Sequence, residues 1–201
     1  MKVTLISYTS EPMMNMAKAA SVCYDTEPKR SVVEHCIKSG HDSITEFATF
    51  HFLVEGISRA CSHQLVRHRL ASYAQRSQRY CKEDGNEYIT PPSINKLVGI
   101  SAHYHNLMKS FWDAYDILLA LDVPPEDARY ILPNACSTTI HVQMNFRQLR
   151  HFCSQRLCSK AQWEIRQLAE KMREKVQEVE PKLGEYLVPK CESLGYCPEE
   201  E

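Results

Sequence analysis

Three short runs rich in β-branched and aromatic residues stand far apart in the chain: Lys2–Tyr8, Ala48–Glu55 and Ser137–Met144. Segments with helical spacing of apolar residues lie between and after them. Such runs read as strands, and any sheet they form must be assembled over long sequence distances. A chain of 201 residues, 43% of them hydrophobic, can fill one core of comfortable size, or two small ones at most. With no internal repeat and no low-complexity linker, one α/β domain is the economical expectation.

The helical segments carry recognisable punctuation. Pro12–Cys23 opens with proline in its first turn, and Pro28–Lys38 is expected to end with Gly40 in a left-handed cap. His41–Glu46 reads as a polar loop. Ser58 offers a cap to a helix through Ala60, Cys61, Leu65 and Val66. The stretch Arg69–Tyr80 shows no steady apolar period and reads as partly irregular. Asp84-Gly85-Asn86 reads as a turn and Pro91-Pro92 as a stop. A long helix is expected over 101–121, with Leu107, Phe111, Leu118 and Leu119 near one face, and a short one from Pro124-Pro125 through Arg129. A C-terminal helix pair follows. Asn145 caps the first helix, and Ser159-x-x-Gln162 reads as a capping box for the second. The second carries the stripe Ile165, Leu168, Met172, Val176 and Val179, and a polar tail begins at Pro189.

Charge narrows the function. The formal net charge is −1, from 24 basic and 25 acidic residues. So weak a net field does not call for nucleic acid or an acidic membrane surface. An anion site must come from local clustering. No stretch approaches about 18 uninterrupted apolar residues, so no membrane span is expected. The start of the chain does not read as a signal peptide. Nine cysteines without an export signal are expected as reduced thiols in a cytoplasm. Their spacings contain no Cys-x-x-Cys, and no metal site is expected.

The clustering lies in Gln64–Tyr80, which holds Arg67, Arg69, Arg76 and Arg79, His68, and neither acid nor lysine. Two readings are open. A basic run is often a solvated face or an RNA patch, and that reading predicts salt-dependent oligonucleotide binding without flavin. The other reading is a small phosphorylated ligand. Arginine supplies a planar fork for phosphate, while Ser72, Ser77, Gln75 and Gln78 add neutral groups that reach phosphate or a base edge. On a helix Gln64 and Arg67 share a face, whereas Arg67, His68 and Arg69 step by about 100° each and diverge. Two ligands, or a site shared between subunits, would use all three. A second basic set comprises Asn145, Arg147, Arg150, His151, Arg156 and Lys160, of which Arg147, Arg150 and His151 share a helical face. Its bland reading is a solvated face opposite Leu149, Phe152 and Cys153. Ser77 has no evident histidine–aspartate pair to activate it as a nucleophile and reads as a ligand group.

Arg67-His68-Arg69, then Ser72, then Ser77-x-Arg79-Tyr80, resembles the signature of the flavin-dependent thymidylate synthases. Gly40-His41-Asp42-Ser43 with Glu46, Arg129-x-x-Leu132-Pro133, Asn145-x-Arg147-x-Leu149, and Arg156 followed by Ala161–Ile165 recur in the family's order. The resemblance implies an α/β fold of α+β type, with a central, largely antiparallel sheet flanked by helices. It also implies a homotetramer with active sites between subunits. It implies FAD held by positions matching Ser43, Arg67, His68, Arg69, Gln75, Asn145, Arg147 and His151. The nucleotide dUMP would be held by Gln64, Arg67, Gln75, Arg76, Ser77, Gln78, Arg79, Arg129 and Arg156. The implied reaction is reductive methylation of dUMP to dTMP, with methylenetetrahydrofolate as carbon donor and NADPH as reductant. Arg156 would stabilise charge on the pyrimidine, and no enzyme cysteine would act as nucleophile. A relative acting on a modified pyrimidine nucleotide would share these residues. The chain departs from the common family pattern at Phe47, Ala74, Gln75, His151 and Lys160. Of these, His151 and Lys160 add potential positive charge, which would favour an anionic reduced flavin.

Overall fold

The computed structural model describes residues 1–83 and 85–198. In chain order its first elements are β1 (Lys2–Tyr8), α1 (Pro12–Tyr24), α2 (Arg30–Lys38), a 3-10 turn (Asp42–Phe47), β2 (Thr49–Ser58), α3 (Arg59–Leu65) and β3 (Ala71–Gln75). Then come α4 (Pro92–Asn95), α5 (Val98–Ala120), α6 (Pro125–Ala128), a second 3-10 turn (Arg129–Ile131), and β4 (Ser137–Asn145). The chain ends in α7 (Phe146–Arg156), α8 (Trp163–Val179), α9 (Pro181–Gly184) and α10 (Lys190–Leu194). The strands form one antiparallel sheet in the order β1-β2-β4-β3, flanked by helices, as the α+β expectation required.

The chain divides into two compact units. The first comprises Met1–Val54, Gln64–Ala74 and the chain from His141 onward; the second comprises Glu55–His63 and Gln75–Ile140. In the first, β2 alternates as half-buried surfaces demand: Phe50, Phe52 and Val54 are buried while His51 and Leu53 are half-buried. Met13, Met16 and Ala20 of α1, Leu149 and Phe152 of α7, and Ile165, Leu168, Met172 and Val176 of α8 are also buried. Each large apolar side chain contributes about 1.5–3 kcal/mol of transfer free energy. Val179, the last of the expected α8 stripe, is only half-buried. In the second unit Met108, Trp112 and Cys136 form a core with Tyr88, Tyr104, Phe111 and Leu132 packed against it.

Several expectations are corrected. His41–Glu46 is not a plain loop: Asp42–Phe47 winds into a 3-10 turn in which the Thr45 hydroxyl donates to the Asp42 carbonyl at 2.6 Å. Within Arg69–Tyr80, Ala71–Gln75 is a strand, paired at the sheet edge. Pro91-Pro92 does not stop a helix but starts α4, because proline is already set for a first helical turn. α5 begins at Val98 and buries Met108, Trp112 and Tyr115, while Leu107 is exposed. The cap of α8 is Gln162, whose side chain accepts from the Glu164 and Ile165 amides; Ser159 lies one turn too early. α2 begins at Arg30, not Pro28, β2 runs on to Ser58, and the polar tail carries α10. Of the expected turn at 84–86, Asp84 lies outside the described residues, as does the end of the tail, 199–201.

Candidate active site

Three local devices place the cationic groups of the first unit. α3 ends in tight turns, with the Arg67 and His68 amides donating to the carbonyls of Gln64 and Leu65. The Tyr73 hydroxyl then lies 2.8 Å from the Leu65 carbonyl and 3.0 Å from that of His68, pinning the corner that carries Arg67, His68 and Arg69. Asn145 caps α7 as its sequence predicted, its Oδ1 accepting from the Gln148 amide at 2.9 Å. Helical spacing then turns Arg147, Arg150, His151 and Ser154 toward one side. The Asp42–Phe47 turn faces the same helix: Arg147 pairs with Glu46 and Arg150 with Asp42, both at 2.5 Å.

The result is a cleft of about 780 Å³, within the usual range for cofactor sites. Arg67, His68, Arg69, Arg147, Arg150, His151 and Arg156 line it, with Asp42, Gln148 and Tyr186 among the remaining residues. Among the described residues the side chains of Arg67 and Arg69 have no carboxylate partner. Arg156 points its Nε–H at a neutral acceptor instead, the Nε2 of His68, at 3.0 Å. Positive charge that the protein itself leaves uncompensated favours an anion.

His68 is buried, edge-on to Phe152 with ring centroids 5.0 Å apart. Burial foremost, then the Arg156 guanidinium and His151, push it from the ordinary 6.5 down to about 4. It is therefore neutral near pH 7 and can accept from Arg156. Between pH 6.5 and 4 the unfolded chain takes up a proton at this site and the folded one does not. Stability is thus fully present above 6.5 and falls as pH drops through that window. Thermal unfolding of the wild type is expected to move to lower temperature between pH 7 and 4.5. His68→Gln, which keeps an acceptor for Arg156, should show a flatter dependence; equal slopes would remove His68 as the cause.

The remaining site candidates lie elsewhere. Ser43 is exposed and Gln64 and Asn145 are half-buried; none of them lines the cleft. In the second unit Gln75 donates to the hydroxyls of Ser62 and Thr138, at 3.0 and 3.2 Å. Gln78 is buried against Cys136. Arg76 donates to the Lys82 carbonyl at 2.8 Å, and the Ser77 hydroxyl accepts from the Arg79 amide. Arg79 pairs with Glu126 at 2.6 Å, and Arg129 donates to the carbonyl of the same residue. Gln78 and Arg129, with Arg59 and His63, line a hollow of about 240 Å³. The sequence reading missed Gln148, which stands between two arginines and has no signal of its own, and it gave Asp42 and Glu46 no pairing role. All nine cysteines are free thiols. Burial pushes Cys136 up to about 11 and Cys153 to about 12, so both are inert near neutral pH.

An antiparallel α+β fold carrying an arginine-lined cleft, with a neutral histidine holding one of its guanidinium groups, defines a protein built to take an anionic ligand. Residues 4–182 match the family described as thymidylate synthase complementing protein. Over its whole length the chain is 42% identical to the flavin-dependent thymidylate synthase of Pyrococcus abyssi, spanning 90% of that protein. It is 37% identical to the enzyme of that name from Nitratidesulfovibrio vulgaris, spanning 92% of it. The chain belongs to the flavin-dependent thymidylate synthase family. Its fold is similar to the crystal structure of a UMP/dUMP methylase from Streptomyces cacaoi bound with 5-Br dUMP. The TM-score is 0.82 at 22% identity, covering 92% of this chain and 93% of that one. No helix among the described residues is long and apolar enough to cross a membrane.

Proposed function

We propose that the chain methylates dUMP to dTMP, using FAD, methylenetetrahydrofolate as carbon donor and NADPH as reductant. The observation that carries this reading is the cleft in which, among the described residues, Arg67 and Arg69 stand without a carboxylate, in a chain of this family. The donor set fits a flavin dinucleotide: Arg67 and Arg69 suit its phosphates, and His68, neutral near pH 7, adds no further charge beside the ring. A bound flavin supplies the hydride that converts the transferred carbon to a methyl group. The protein's own part is electrostatic and positional. His68 accepts from Arg156 Nε and so fixes the guanidinium plane, leaving the terminal nitrogens for the pyrimidine, where negative charge develops as C5 becomes nucleophilic. Gln75, Arg76, Ser77, Gln78, Arg79 and Arg129 hold the nucleotide. Sites between four subunits belong to the same reading, which the exposure of Leu70, Val98 and Leu121 supports.

Tritium release from 5-labelled dUMP, with FAD, NADPH and methylenetetrahydrofolate present, is expected. Flavin binding without release would instead favour a relative acting on a modified pyrimidine nucleotide. Arg79→Ala is expected to raise the KM for dUMP by about tenfold or more. Its ion pair with Glu126 is half-exposed on both sides and contributes little to stability. The melting temperature should therefore stay within about a degree while KM moves. An unchanged KM would take Arg79 out of the nucleotide site.

A further inference from the structure

Among the described residues of the first unit, Gln148 and Arg173 each bury a side-chain nitrogen with no hydrogen-bond partner, and of the two only Gln148 lines the cleft. It follows Arg147 on α7, is only 4% exposed, and lines the cleft. Its backbone amide is held by the Asn145 cap. Its side-chain Nε2 is buried and has no hydrogen-bond partner. A buried amide left so destabilises the folded chain relative to a satisfied one. Leucine or methionine would fill the same space on this helix, beside Leu149 and Phe152, without that cost. A group that destabilises the protein alone but borders a ligand cleft is accounted for when the ligand satisfies it.

The chemistry of the partner follows from what surrounds it. Arg67, Arg69 and Arg156 already supply charge, so a neutral carboxamide adds nothing for a phosphate that a guanidinium does not do better. A carboxamide offers a donor and an acceptor side by side, fixed in one plane. That matches an imide edge, in which carbonyl, N–H and carbonyl alternate. We infer that Gln148 is a positioning residue that pairs with the imide edge of a bound ring, and that its orphaned amide marks that contact. Both a flavin ring and a uracil ring carry such an edge. The inference rests on the function proposed above.

The test uses the full chain stripped of flavin and the near-isosteric variant Gln148→Met. Flavin affinity is read by quenching of FAD fluorescence, dUMP affinity by calorimetry on the flavin-loaded protein, and apoprotein stability by thermal unfolding. The variant should lose about tenfold or more in affinity for one of the two ligands, while its apoprotein melts at the wild-type temperature or higher. A weakened FAD titration with dUMP unchanged assigns the contact to the flavin, and the reverse assigns it to the nucleotide. Wild-type affinity for both ligands overturns the inference, whatever happens to stability. A wild-type protein that binds neither FAD nor dUMP would instead strike the proposed function itself.

Discussion

Arg156→Ala is expected to lower kcat for dUMP methylation by about 10²–10³-fold while the protein still folds and binds flavin. The magnitude is that of removing one preorganised charge from the place where transition-state charge develops. Arg156 closes α7 at its C-terminal end, where a cation is favoured by the helix dipole, and is only half-buried, so its loss leaves no large cavity. What it leaves is His68 without its donor and the cleft without one guanidinium. Arg156→Lys separates the two contributions. Lysine keeps the charge but has neither the planar fork nor the Nε–H that meets His68, so it should recover only part of the rate. Tritium release gives the rate and flavin absorbance the loading. If alanine and wild type turn over alike at equal loading, the charge on the pyrimidine is stabilised by some other group.

What could be read along the chain was whatever a few neighbouring residues decide. Asn145 three residues before Gln148, and Gly40 after Lys38 with its φ of +73°, are signals complete within one turn of helix, and both stand as expected. β1 and β4 show themselves through β-branched composition. β3 does not, because Ser72 and Ala74 leave it without apolar alternation. What makes it a strand is its place beside β4 at the sheet edge, with β4 more than sixty positions away. α5 shows the same dependence on distant partners. Leucine content pointed to Leu107 and Leu118, yet burial follows Met108, Trp112 and Tyr115, because Met108 and Trp112 share a core with Cys136 and the Tyr88 ring packs on Trp112. At the site, the density of arginine was visible but its neutralisation was not. Glu46 is 101 residues from Arg147, and Asp42 is 108 from Arg150. Only the fold tells a paired arginine from an unpaired one, and that distinction ranks the candidates within a run that otherwise looks uniform.

The ranking has a measurable consequence. Changing Arg67 and Arg69 together to glutamine is expected to weaken FAD binding by about a hundredfold or more, since each charge-assisted hydrogen bond to a phosphate contributes about 1.5–3 kcal/mol. Arg147→Gln should cost less, because Glu46 already competes for that guanidinium and is released when it goes. Salt supplies a second axis. Wild-type affinity should fall as ionic strength rises, and the double variant should show a shallower slope because fewer charge pairs remain to be screened. The unliganded double variant should be no less stable than wild type, since two like charges at adjacent corners of one turn are gone and no internal ion pair has been broken. Titrations of FAD fluorescence at two or three salt concentrations carry both readouts. Equal affinity and equal slope in the double variant would mean that the phosphates sit elsewhere and that the uncompensated charge of this corner serves a different anion.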